Sequence, residues 1–164
     1  MKTMIISAAF MVLWGALEIA ANFSYQRSIG SYWELSDRAS TLPQKSAYLD
    51  QYVGALEQSG LQGSNDALFL KTPANSFDQN MVALKSLQGR MHQIQGMDEQ
   101  SFAYQTAISQ ITAQEQGEAS HLTGTIEGCW YLNHWLLLWG WIDAAVWIVA
   151  GGAFAVGGLM KLDI

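Results

Sequence analysis

Residues 135–160 read WLLLWGWIDAAVWIVAGGAFAVGGLM, and in these 26 positions Asp143 is the one ionisable side chain. A helix needs about 20 apolar residues to cross a hydrocarbon layer of roughly 30 Å, so this stretch is long enough to cross with tilt. Five of the seven tryptophans fall between Trp130 and Trp147, mostly at its upstream end. Amphipathic rings gather there when a helix meets a headgroup boundary. Gly151, Gly152, Ala153, Ala155, Gly157 and Gly158 put small residues at four-residue spacing, a face that lets another helix approach closely.

A second apolar stretch lies at the other end. Residues 4–21, MIISAAFMVLWGALEIAA, follow Lys2 and also have spanning length. A basic start, an apolar run and the small pair Ala20 and Ala21 fit a cleaved signal peptide as well; the anchoring reading is the one carried forward. Two crossings put both termini on one side. Lys2 and Lys161 flank the two runs, so the tendency of basic residues to stay inside assigns that side to the cytoplasm, with Arg27 weighing mildly against it.

The apolar content is thus segregated at the ends, and residues 22–133 must form a core of their own. They are rich in Gln and Ser and show helical periodicity, not alternation. Tyr25, Ile29, Tyr32, Leu35, Ala39 and Leu42 make a stripe continuing out of the first run. Thr41 with Gln44 forms a capping box, and Pro43 opens a helix through Leu49, Tyr52 and Leu56 that Gly60 closes. Residues 61–75 read as a loop in which residues 67–70 tuck a short apolar turn under the domain. Ser76 with Gln79 repeats the capping box ahead of Phe77, Met81, Leu84, Leu87, Met91 and Ile94. A fourth helix, capped by Asp98, can run unbroken into the second apolar stretch.

The expected fold is therefore all-α, with two transmembrane helices flanking an extramembrane up-down four-helix bundle. Its divisions are residues 1–21, the first helix with a short cytoplasmic start; 22–133, the bundle; 134–160, the second helix; and 161–164, a cytoplasmic tail. This layout resembles the ligand-binding bundles of bacterial chemoreceptors and sensor kinases, whose outer helices also continue into two spans. The resemblance is one of architecture alone, and with three residues after Lys161 no signalling module is expected.

Charge and motif content narrow the function. The net charge is −6 and the few basic residues form no stripe, which argues against a nucleic-acid surface. Cys129 is the single cysteine and sits beside Trp130 with no nearby base, so it reads as a small buried hydrophobe. On the fourth helix Glu115 and Glu118 fall at inward positions, and Glu118 with His121 has the Glu-x-x-His spacing of ferritin-like metal sites. No second such pair exists, so a polar slot is the expectation there, with no metal and no cofactor. Glu18 and Asp143, the carboxylates within the apolar runs, fall at similar depth by about 1.5 Å per residue. They are open to sharing a proton, binding a cation, pairing with a basic residue of another subunit, or reaching water.

These features fit a non-enzymatic accessory or interaction subunit of a larger membrane complex, in a bacterial inner or plasma membrane with its bundle outside the cytoplasm. Its partners would be membrane protein subunits, in a hetero- or homo-oligomer, and the lipid bilayer. A ligand-sensing bundle signalling through a separate partner is the alternative; a metal-binding or proton-handling subunit of a membrane enzyme is the third reading.

Overall fold

The computed structural model describes residues 2–98, 100–114 and 120–159. They are helical, with no strand among the described residues and one isolated antiparallel bridge between Asn65 and Ser76. Two helices are long and apolar enough to cross a membrane, Met4–Arg38 and Gly140–Gly158.

The first begins as α1 (Lys2–Tyr25), passes through a π-helical turn (Gln26–Gly30) and continues as α2 (Ser31–Arg38). Tyr25, Ile29, Gly30 and Ser36 are its buried residues beyond the apolar run, while Leu35 of the expected stripe is exposed. The inward-facing Ser36 hydroxyl donates to the Lys45 carbonyl at 3.0 Å, tying α2 to the helix that follows. Thr41 caps α3 (Leu42–Gln58) by accepting from the Gln44 N–H, and Gly60, at φ +74°, lies just past its end.

The connection to α4 (Phe77–Gln95) differs from the expected tucked turn. Phe69 and Leu70 are 91% and 81% exposed. The reason is a hydrogen-bonded loop frame: the Asn75 side chain donates to the Leu70 carbonyl and accepts from the Thr72 N–H, both at 2.7 Å, and Asn65 donates to Asn75. The capping box forms here, between Thr72 and Asn75, around the short 3-10 turn Pro73–Asn75. Ser76 makes no side-chain cap; its carbonyl instead takes the Asn80 amide at 2.7 Å.

The α4 stripe is buried in full, from Phe77 through Ile94, and meets Leu49, Tyr52 and Leu56 of α3. Removing each such side chain from water contributes roughly 1.5–3 kcal/mol. The outer seam between these helices carries polar ties: Gln88 and His92 both reach Asp50 Oδ1 at 2.8 Å, and Lys85 pairs with Glu57 at 2.6 Å.

Helices α5 (Phe102–Gln114) and α6 (Ser120–His134) pack on α4, with Ser101 accepting from the Tyr104 N–H at the start of α5. Tyr104 and Ile108 lie partly buried against the core, and Ile126, Cys129 and Trp130 complete it. The helix does not run unbroken into the apolar stretch. Trp135 leaves helical geometry, Leu136–Leu138 form a 3-10 turn, and α7 (Gly140–Leu159) starts at a glycine with φ +33°. That turn redirects the chain so that α7 returns along α1.

Candidate functional site

The contact between α1 and α7 has a regular spacing. On α1 the covered residues include Met4, Ser7, Met11, Trp14, Glu18 and Ala21, separated alternately by three and four, with Ala8 and Gly15 beside them; on α7 they include Asp143, Val146, Ala150, Ala153 and Gly157. This is the seam of two helices packed side by side with a 3.5-residue repeat. The helices are antiparallel. A methyl added at Gly158 would lie 3.9 Å from the Met4 side chain at one end, while Glu18 and Asp143 share the other.

Two reciprocal bonds close that second end. Trp14 Nε1 donates to Asp143 Oδ1 at 2.7 Å, and Trp147 Nε1 donates to Glu18 Oε1 at 2.5 Å. On each helix the tryptophan and the carboxylate are one turn apart. Their order is Trp then acid on α1 and acid then Trp on α7, so reversal of direction sets Glu18 level with Asp143 and Trp14 level with Trp147, and each bond crosses the seam diagonally from an indole to the acid one turn further along the partner helix. An indole N–H and a carboxylate are both costly to leave unpaired in an apolar setting, and each satisfies the other. The Trp14 ring, stacked on Phe10 at 5.7 Å, is buried.

Beside these bonds lies a pocket of about 640 Å³ lined by Glu18, Ile19, Asn22, Phe23, Gln26, Tyr131, Leu138 and Asp143. The structure thus brings Glu18 and Asp143 to one cavity wall. Above it, Tyr25 packs on Trp130 at 5.5 Å and Trp130 stacks on His134 at 5.1 Å, joining the first helix to α6 at its last turns.

The small-residue face divides. Ala153 lines an apolar groove with Ile6, Ser7 and Phe10, and Gly157 and Gly158 are half-buried on the α1 side. Gly152 and Ala155 are exposed, and nothing lies within 4 Å of a methyl built on Gly151 or Gly152.

Glu115 and Glu118 lie outside the described residues. His121 is exposed on α6 and faces Asp66 of the long loop. Burial pushes the Asp66 carboxyl up, while His121 and a Thr125 hydrogen bond pull it down. Asp66 sits so close to α6 that a methyl on Gly128 would come within 2.8 Å of its Cβ. The loop is fastened again where the Asn133 amide donates to Ser64 Oγ at 2.8 Å. Cys129 is fully buried, and burial pushes its thiol up to about 12. No family model, curated protein or solved structure matches this chain.

One buried cluster was not anticipated. Tyr52 is fully buried on α3 with its hydroxyl beside that of Tyr25, and its ring packs on Trp33 at 5.5 Å. Burial raises the Tyr52 hydroxyl most, the neighbouring Tyr25 hydroxyl raises it further, and the half-buried Glu127 carboxyl on α6, itself pushed up by desolvation, adds the least. Glu127 stands next to the inward Ile126, so the apolar stripe alone gave no reason to single it out. The indole partners of Glu18 and Asp143 were not singled out either, because a tryptophan near a membrane boundary has a general reason to be there.

Proposed function

We propose that the chain is a non-enzymatic, membrane-anchored accessory subunit of a larger membrane complex. In this reading α1 and α7 cross the bilayer as an antiparallel pair, both termini are cytoplasmic, and residues 22–133 form an up-down four-helix bundle outside the cytoplasm. The bundle and the outward faces of the two spans are the docking surfaces.

The observation that carries the reading is the one-sidedness of the helix pair. Each apolar helix is covered by the chain along a single narrow seam, and α7 turns Gly152 and Ala155 outward with open space over Gly152. Association of spans in lipid depends on close backbone approach, which small residues allow and large ones prevent. The indole bonds hold the pair together within the chain, so the outward face is free to recruit another helix.

The test is the native size of the chain extracted in a mild detergent, with its partners identified. The reading predicts stable co-purification with defined membrane proteins, lost in Gly152→Leu. Recovery only as a monodisperse single chain would contradict it.

A further inference from the structure

We infer that the pocket between α1 and α7 is a receptor for one arginine side chain of a partner subunit. This rests on the accessory-subunit reading and names the chemistry by which the partner is held. Each carboxylate uses one oxygen for an indole N–H and leaves the second without a hydrogen bond among the described residues. None of the eight lining residues is basic, so the two acids have no counter-charge in their own cavity, and the chain as a whole carries −6.

The order of polar groups along the cavity selects the occupant. Along the first helix, Asn22 and Gln26, the latter opening the π-helical turn, stand about one and two turns beyond Glu18, roughly 6 and 12 Å nearer the extramembrane domain. A lipid of the outer leaflet with an ammonium headgroup would present its phosphate deeper than its ammonium, the reverse of acids below and amides above. A long cationic side chain entering from the domain side matches instead: its charge reaches Glu18 and Asp143 while its backbone lies against Asn22, Gln26 and Tyr131. Arginine fits better than lysine because its planar fork offers five donors and can serve two carboxylates at once. Ile19, Phe23 and Leu138 keep the contact partly dry, which strengthens it.

The experiment uses the full chain in phosphatidylcholine nanodiscs and a dansyl-labelled poly-leucine span carrying one Arg a turn inside its outer end, with Lys, Gln and Leu versions for comparison. Energy transfer from the chain's tryptophans reports association. The Arg span is expected to bind at least about tenfold more tightly than the Leu span. Glu18→Gln/Asp143→Asn keeps an oxygen for each indole and removes the charge, so it should fold as wild type and bring that preference close to one; the single variants serve if the double one does not fold. Equal binding of all spans, or an Arg preference that survives in the amide variants, overturns the inference. So does loss of the preference when phosphatidylethanolamine replaces phosphatidylcholine, since a lipid ammonium would then own the cavity. Should the amide variants still co-purify with every native partner, the arginine contact falls while the accessory reading stands.

Discussion

Two indole–carboxylate bonds hold α1 to α7, and a double-mutant cycle measures them. Trp14→Phe keeps the ring and removes the N–H; Asp143→Leu removes the acceptor. Hydrogen bonds between membrane helices contribute about 0.6 kcal/mol on average and about 1.7 at most, because the separated helices also find partners. With a carboxyl oxygen as acceptor and the pair closing one end of the seam, the coupling for Trp14 with Asp143 should lie near the upper end, about 1–1.7 kcal/mol, and likewise for Trp147 with Glu18. Trp14→Phe alone should cost more than the coupling, since Asp143 loses its donor. The assay is reversible unfolding by SDS in mixed micelles, with each cycle referenced to a same-helix control, Trp14 with Glu18 and Asp143 with Trp147. Couplings below about 0.3 kcal/mol across the seam, or same-helix couplings as large, would refute the crossed pairing.

Three further outcomes concern residues between the two apolar helices. Burial raises the Glu127 carboxyl, so its contribution to stability is present below the ordinary value of 4.5 and declines as pH rises through the raised one; Glu127→Gln should flatten the fall in melting midpoint between that pH and neutrality, and an unchanged slope would remove Glu127 as its source. Cys129, buried and with its thiol held near 12, should react with a thiol reagent at neutral pH only at the rate of unfolding. Gly128→Ala should destabilise by about 1–3 kcal/mol by driving Asp66 off α6, and Asp66→Gly should recover part of the loss when combined with it.

Periodicity made the strongest helices legible. The stripe from Phe77 to Ile94 and the inward trio Leu49, Tyr52 and Leu56 sit where three- and four-residue spacing put them, because burial of large apolar side chains outweighs every competing local preference. Local chemistry was less reliable. Ser76 and Gln79 have the right identities for a capping box, yet Asn80 and the Thr72–Asn75 pair supply the polar partners, and the sequence contains no measure of that competition. The exposure of Phe69 and Leu70 has the same origin: asparagine side chains fix the loop backbone, and the apolar tip points where the frame leaves it. The break at Trp135 was hidden by an uninterrupted apolar run, in which a 3-10 turn and a glycine-initiated helix look like one long span. Within the site, the carboxylates announced themselves by their charge in apolar surroundings. Their partners did not, because tryptophans near a membrane boundary have a general reason to be there, and only the fold shows which indole meets which acid.

The central claim is that α1 and α7 both cross the bilayer, with the intervening domain on one side and the termini on the other. Single-cysteine labelling in intact cells tests it most directly, using Lys71→Cys on the exposed loop and Lys2→Cys at the first helix, each with Cys129→Ala. A membrane-impermeant thiol reagent should modify position 71 before lysis and position 2 only after it. Equal modification of both positions in intact cells, or of neither, would contradict two crossings, and the opposite order would reverse the orientation proposed for the chain.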